Sequence, residues 1–397
     1  MQSGRWFVLS VLFLSRTAMG FQFQSVASSA TLLASSLSVG YTEVGTLIGL
    51  YTLPGIVIAL PGGLLDRRLG NRQICTVGLG LMMAGALLFA LGGSYVAGIA
   101  GRFVSGTGAV LFNLVLTKMV TDWFAGREIV TAMGIILASW PFGIALALIT
   151  QPPLAASLGW QAVMNVTAGF CAIAVILVLL FYRDPPAATG AERLPPAGGG
   201  RLLVRHELLP ASLAGAIWGA FNVGLVLFFS FAPVMLAERG LALASAAAVV
   251  SLGLWLSMVS LPLGGWLVQR SGHPQAAIIV FSAATALVLG LLIHGTTPAV
   301  LCALMGVVIG PPAGAIMALP AAIFSPARRA VGLGIFYTVY YGAMAIGPAI
   351  AGWCRDHWHS AAAALFFGAT LYVAIIPLSL LFSIIVKRDG VQAGWER

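Results

Sequence analysis

The chain has 397 residues, of which 60% are hydrophobic and 8% are charged, and its net charge is +9. Soluble proteins carry about 25% charged residues, so the composition excludes a water-facing surface for most of the chain. Long apolar runs containing glycine and proline indicate membrane-spanning helices rather than an outer-membrane barrel, whose strands alternate apolar and polar residues.

Polar breaks divide the chain into twelve apolar segments, each long enough to cross a ~30 Å hydrocarbon core. The first segment follows Arg5 and continues past Ala18 and Gly20, where a signal peptide would be cleaved, so we expect a retained first span. The predicted spans are 6–34, 43–65, 73–94, 97–120, 129–150, 160–182, 208–236, 242–268, 275–294, 297–323, 330–353 and 361–386.

The longest polar stretch, residues 183–207, is rich in proline, glycine and charge. Such a composition is typical of a flexible linker, and here it separates six spans from six. The sequence therefore predicts an N-terminal six-helix bundle (1–185), a linker (186–206) and a C-terminal six-helix bundle (207–397).

Basic residues predict the orientation in the membrane. Outside the spans, fifteen Lys or Arg residues fall on the side that holds both termini, and the other side holds only Arg239 and Arg355. The positive-inside rule therefore predicts that both termini and the linker are cytoplasmic. Topology and contact with the anionic headgroups of the lipid bilayer explain the net charge, and no nucleic-acid partner is needed.

An internal repeat supports the division into halves. Residues 62–70 read GGLLDRRLG and residues 264–272 read GGWLVQRSG, and each copy follows the second span of its half. Two six-helix units that repeat each other in parallel indicate a transporter with its binding site at their interface.

These loops resemble those of the major facilitator superfamily. The first loop matches Gly-x-Leu-x-Asp-Arg-x-Gly with basic residues after it, although one additional residue separates Arg67 from Gly70. The fourth span carries the Arg-x-x-x-Gly-x-Gly motif as RFVSGTG, which begins at Arg102. The matching residues of the loop are Gly62, Leu64, Asp66, Arg67, Gly70 and Arg72.

The resemblance implies an all-α membrane protein of twelve transmembrane helices in two parallel six-helix repeats. It also implies a monomer in the bacterial inner membrane that works by alternating access. The segments SRTAMGFQFQ and LTKMVTDWFAGRE are similar in their general residue pattern to the branch of cyanate, nitrate and nitroimidazole permeases. The fifth-span motif of proton-coupled exporters is poorly matched, since only Gly134 and Gly143 flank Pro141.

The resemblance further implies a latch of loop charges and glycines on the cytoplasmic side, whose rupture would shift the population between conformations. The alternative is that these arginines serve topology alone, but an acid such as Asp66 does not serve a positive-inside bias. The candidate gating residues are Gly62, Asp66, Arg67, Gly70, Arg72, Arg127, Gly264 and Arg270.

Arg16 is the first candidate for the substrate site. It lies ten residues after Trp6, about 15 Å into the first span, and all eleven acidic residues lie in loops or at span edges. An intramembrane guanidinium without a carboxylate partner favours an anionic ligand. The alternative is a structural arginine bonded to helix carbonyls or water.

The other candidates are polar or aromatic residues within spans. Arg102 opens the fourth span, where snorkelling to the interface is the alternative to substrate contact. Aromatic residues at helical spacing also pack in cores, but buried tyrosine hydroxyls need partners. The complete set is Arg16, Gln24, Arg102, Asn113, Trp218, Asn222, Tyr337, Tyr340 and Tyr341.

The leading hypothesis is a secondary active or facilitative transporter of a small, anionic solute. The alternative is a proton-coupled exporter of hydrophobic or cationic compounds, which would call for a membrane carboxylate. The sequence shows no nucleophile, metal cluster or GxxxxGK[ST] motif, so we expect neither an enzyme nor a cofactor. The coupling species stays open between a proton, a counter-anion and none.

Overall fold

A computed structural model of the chain describes residues 2–58, 70–124, 128–183, 205–323 and 329–388, and all regular secondary structure in these ranges is helical. The first half contains α1 (Gln2–Ser28), α2 (Ala30–Leu37), α3 (Tyr41–Leu50), α4 (Gly55–Ile58), α5 (Asn71–Gly92), α6 (Tyr95–Phe124), α7 (Ile129–Leu158) and α8 (Trp160–Phe181). The second half contains α9 (Arg205–Glu238), α10 (Leu243–Ser271), α11 (Pro274–His294), α12 (Pro298–Val308), α13 (Gly310–Ile323), α14 (Arg329–Trp358) and α15 (Ala361–Arg388).

Within the described ranges, twelve helical segments are long and apolar enough to cross a membrane, which confirms the predicted all-α, twelve-span architecture. Ten of them are single helices, and the other two combine α3 with α4 and α12 with α13. Large apolar side chains such as Leu91 and Val96 are exposed on the outside of the bundle. A surface of this kind suits the hydrocarbon of a bilayer.

Two spans are interrupted. The second span is broken between Leu50 and Gly55, where the segment contains Pro54 and the hydroxyl of Thr52 donates to the carbonyl of Gly49. The tenth span is broken at Ile309, two residues before the paired Pro311 and Pro312, which lack the backbone N–H that would continue the hydrogen bonding of a helix. A continuous second span was expected, so its break is a difference between expectation and structure.

Two hydroxyl groups in the middle of α1 are satisfied by the helix backbone. In α1, Ser15 and Thr17 donate to the carbonyl oxygens of Val11 and Phe13, one turn earlier, at 2.9 Å each. Bonds of this kind let small polar residues remain in an apolar helix without leaving an unpaired group in hydrocarbon.

Close packing joins the two halves at the end of the bundle opposite the chain termini, which we call the distal end. There α3 of the first half lies along α14 of the second half. A Cβ atom added at Gly45 would overlap the carbonyl of Pro348, and one at Gly352 would overlap the carbonyl of Tyr41. Glycine is needed at these positions because the two backbones touch.

The predicted two-bundle division stays a prediction. Residues 184–204, which hold most of the predicted linker, lie outside the described residues, and α9 already begins at Arg205. A further large contact between the halves pairs α7 with α10, where the rings of Phe142 and Trp255 meet edge to face at 5.5 Å.

Candidate functional site

Arg16 lies near the middle of α1 and is half-buried. Its Nη1 atom donates a hydrogen bond of 2.7 Å to the carbonyl oxygen of Ile136 on α7. Its Nε atom is buried and has no hydrogen-bond partner among the described residues. Nε–H and Nη2–H lie on the same edge of the guanidinium, and no hydrogen bond joins that edge to another described residue, whereas Nη1 is anchored.

No ion pair joins this arginine to a carboxylate of another described residue. The ion pairs between described residues involve Arg5 with Glu128 and Arg355 with Glu238 and Asp356, all near helix ends. Arg16 has no such partner in the described part of the chain, and an unpaired charge in a low-dielectric interior is costly. An anion bound to the unpaired edge would remove that cost.

Three tyrosines of α14 face Arg16 from the second half. Tyr337, Tyr340 and Tyr341 are half-buried and are close enough to interact electrostatically with Arg16. The ring centroids of Tyr340 and Tyr341 are 4.9 Å apart, and that of Tyr337 is 6.2 and 6.3 Å from them. The structure thus brings Arg16 of the first half together with the tyrosines predicted from the second.

Trp218 on α9 extends this cluster. Its ring is 6.2 Å from Tyr340 and stacks on Phe221 with centroids 5.4 Å apart and an interplanar angle of 10°. Asn222, one turn later, donates from Nδ2 to the carbonyl of Trp218 at 2.8 Å. Trp218 and Asn222 are half-buried while Phe221 is buried, so Phe221 supports the stack from behind.

Gln24 stands apart from this cluster. It is eight residues after Arg16, which is about 12 Å along the helix. The side chain is buried, and Nε2 donates to the carbonyl of Phe229 on α9 at 3.3 Å, while Oε1 has no partner among the described residues. Gln24 therefore joins the two halves on the distal side of Arg16.

Asn113 is half-buried on α6, and no side-chain hydrogen bond joins it to another described residue.

Arg102 is held inside the first half. Its exposed fraction is 2%, and its guanidinium donates to the carbonyls of Leu47, Gln22 and Phe23 at 2.9, 3.2 and 3.3 Å. It also lies 4.5 Å from the ring centroid of Tyr51. This geometry does not support the predicted contact with substrate, nor the alternative of snorkelling, because the donors are used for binding α1 and α3 to α6.

Half of the predicted gating residues fall within the described ranges. Gly70 precedes α5 and Arg72 donates to the carbonyl of Leu179 on α8. Gly264 lies against Pro311, and Arg270 is 5.4 Å from the ring centroid of Trp266. These contacts stay within one half. Gly62, Asp66, Arg67 and Arg127 lie outside the described residues, so the predicted latch stays a prediction.

A different contact between the halves escaped the sequence analysis. Asp356, near the end of α14, accepts hydrogen bonds from the backbone N–H groups of Tyr41 and Thr42 at 2.9 and 2.7 Å and from the Thr42 hydroxyl at 2.8 Å. The guanidinium of Arg355 lies 4.1 Å from the ring centroid of Tyr41. The one signal in the sequence was that Arg355 and Asp356 lie on the side of the membrane that carries few charged residues.

The part of the chain that the structure describes contains no recognisable metal-binding site. No three His, Cys, Asp or Glu side chains there are close enough together to hold a metal ion. The four cysteines are buried and free.

Two transporters that are named for their substrates are similar to this chain at low sequence identity. The 3-(3-hydroxy-phenyl)propionate transporter of Escherichia coli is 27% identical over 357 residues, covering 87% of this chain and 85% of its own length. The hexuronate transporter of Bacillus subtilis is 21% identical over 268 residues, covering 65% and 63%. The chain spans about a third of the length of two further bacterial relatives that it matches.

The fold is shared with a bacterial homologue of the human lysosomal transporter Spinster, solved in an inward-facing and unoccupied conformation. The TM-score is 0.72 at 16% identity, over 100% of this chain and 99% of that chain. The family profile of the Major Facilitator Superfamily matches residues 12–316. The chain therefore belongs to the Major Facilitator Superfamily, and its long apolar helices are those of a multi-pass membrane protein.

Proposed function

We propose that the protein carries a small anionic solute across the membrane by alternating access, with Arg16 as the anion-binding residue. The single observation that supports the proposal is the unpaired Nε/Nη2 edge of Arg16, a half-buried residue that has no carboxylate partner among the described residues. Intramembrane ionisable groups usually serve a ligand or coupling pathway.

The position of Arg16 suits alternating access. The arginine is fixed to α7 of the first half, whereas the tyrosines facing it belong to α14 of the second half. A solute bound between them touches both halves, so their relative movement changes the site. Interfaces between repeated bundles are the usual location of such sites.

Orientation, compartment and oligomeric state belong to the same proposal. The distribution of basic residues supports cytoplasmic termini in a bacterial inner membrane, and the family resemblance supports a monomer. The narrower placement among cyanate, nitrate and nitroimidazole permeases stays a prediction.

Labelling of intact cells with an impermeant maleimide tests the orientation. Ser157→Cys at the distal end should react and His273→Cys should not, and the reverse pattern would contradict the proposal.

Ligand-induced thermal stabilisation tests the anion site. Purified protein is heated with small anions, neutral solutes and lipophilic cations, since a ligand of the folded state raises the unfolding temperature. We expect anions to stabilise the native protein but not Arg16→Gln. Arg239→Gln is the matched control, because Arg239 also donates to carbonyl oxygens but lies at the distal end of α9.

Two outcomes would reject the proposal. One is stabilisation by an anion that survives Arg16→Gln, which would move the anion site elsewhere. The other is stabilisation by lipophilic cations alone, unaffected by the substitution, which would favour an exporter of hydrophobic or cationic compounds.

A further inference from the structure

We propose that the ligand is an organic monocarboxylate with a flat, aromatic body. This inference rests on the proposed anion site at Arg16 and specifies the chemical class that the site accepts. Three features of the site support it, namely the shape of the unpaired guanidinium edge, the number of charges and the aromatic surface.

The guanidinium edge favours a carboxylate. Nη1 is fixed by the carbonyl of Ile136, and the Ser139 hydroxyl donates to the same oxygen at 2.6 Å. The remaining Nε–H and Nη2–H point in parallel, at the spacing that two carboxylate oxygens match in a bidentate pair. A small linear or spherical anion would satisfy only one of these donors well.

The charge count favours a single negative charge. Of the other cations within the spans, Arg102 is occupied by three carbonyl oxygens inside the first half. Lys118 donates to Asn71 at 3.1 Å, near the end of α6 that faces the chain termini. A dianion beside Arg16 would keep one charge uncompensated in a poorly solvated place, which is expensive.

The aromatic surface favours a flat body. Trp218 and Tyr340 belong to different helices and their ring centroids are 6.2 Å apart, while Tyr341 lies 4.9 Å beyond Tyr340. These rings are half-buried, so part of each is open to a ligand. Aromatic groups prefer neighbours at centroid distances of 4.5–7 Å, and such pairs add to the burial of apolar area.

The tyrosine hydroxyls provide a means of recognising polar substituents on that body. In the described part of the chain, the hydroxyls of Tyr337, Tyr340 and Tyr341 make no hydrogen bond to another residue, in contrast to Tyr372, which donates to the carbonyl of Phe221 at 3.2 Å. A hydroxyl can both donate and accept. Ring substituents such as hydroxyl groups therefore fit this site better than a purely apolar surface would.

A matched ligand series tests the class. Dissociation constants are measured by thermal stabilisation with benzoate, with benzamide, which keeps the ring but lacks the charge, and with acetate and nitrate, which keep the charge but lack the ring. We expect benzoate to bind at least about tenfold more tightly than each of the others, the ratio that corresponds to ~1.4 kcal/mol. Trp218→Leu should weaken benzoate binding and leave acetate binding unchanged, whereas Trp353→Leu, on the outer surface of α14, should change neither.

The failures are distinguishable. If acetate or nitrate binds as tightly as benzoate and both are lost in Arg16→Gln, the aromatic class is wrong and the anion site stands. If benzamide binds as tightly as benzoate, or if Arg16→Gln has no effect, both proposals fail. If no aromatic carboxylate stabilises the native protein, the inference is also overturned, and this outcome does not depend on any variant folding correctly.

Discussion

The carboxylate of Asp356 accepts a hydrogen bond of 2.9 Å from the backbone N–H of Tyr41, the first residue of α3, although the two residues are 315 positions apart. The N–H of Thr42 binds the same carboxylate at 2.7 Å. An acidic side chain of the second half thus caps a helix of the first half, where unpaired N–H groups and the helix dipole favour a negative charge. This contact stabilises the closed distal end.

Asp356→Asn should shift the protein towards conformations with an open distal end. The amide can accept at its oxygen but its NH₂ group cannot, and the charge is lost, so we expect the closed state to lose about 1.5 kcal/mol, roughly a tenfold change in population. Spin labels at Ser157 and Thr296, exposed at the distal end of each half, report the change as a longer inter-label distance.

Asp122→Asn is the control for that experiment. Asp122 also accepts from a polar group, the Asn71 amide at 3.1 Å, but this pair lies within the first half near the chain termini. The distal distance should be the same in this variant and in the native protein. An unchanged distance in Asp356→Asn, or an equal change in both variants, would show that the cap does not control distal opening.

Gly55→Ala should weaken ligand binding without changing any charge. A Cβ atom at Gly55 would overlap the ring of Tyr341, so the tyrosine must move away from α4 and the cluster near Arg16 is disturbed. We expect a several-fold higher dissociation constant with an unfolding temperature close to the native value. Gly80→Ala is the control, because a Cβ there meets open space. Equal affinities in the two variants would remove Tyr341 from the site.

Much of the fold could be predicted because it depends on length and composition. Apolar runs that match the bilayer thickness predict membrane-spanning helices, and the repeat of 62–70 in 264–272 is the basis for the predicted division into halves. The break between Leu50 and Gly55 was not predicted, because a single proline among apolar residues is also compatible with a continuous transmembrane helix.

Residues of the candidate site could be proposed from the sequence only where their chemistry distinguishes them from packing residues. Arg16 is conspicuous because a charge in the middle of a span needs a reason, and Tyr337, Tyr340 and Tyr341 share a face by spacing alone. The role of Arg102 could not be read from its position, since its three acceptors are backbone carbonyls that only tertiary packing brings near. The same holds for the cap at Tyr41, whose acceptor is distant in sequence.

Arg102→Lys should impair folding, whereas Arg16→Lys should impair binding. Lysine at 102 cannot span three carbonyls with a planar fork, so we expect a loss of about 2–4 kcal/mol in the free energy of unfolding and a lower unfolding temperature. At position 16 one carbonyl contact is lost, so stability should change little while carboxylate affinity falls. Equal losses of stability in the two variants would contradict the distinction between them.

Ligand binding should be independent of pH between about 6 and 8. Arginine stays protonated throughout this range, and the acidic and histidine side chains that the structure describes lie near helix ends, away from Arg16; examples are Glu43, Glu128 and His294. Dissociation constants for benzoate, which is ionised over the whole range, can be measured at each pH by thermal stabilisation. A change of more than about threefold would reveal a titrating group coupled to the site, and transport would then be expected to respond to a proton gradient. A flat profile instead favours uniport, or exchange against a second anion at the same arginine.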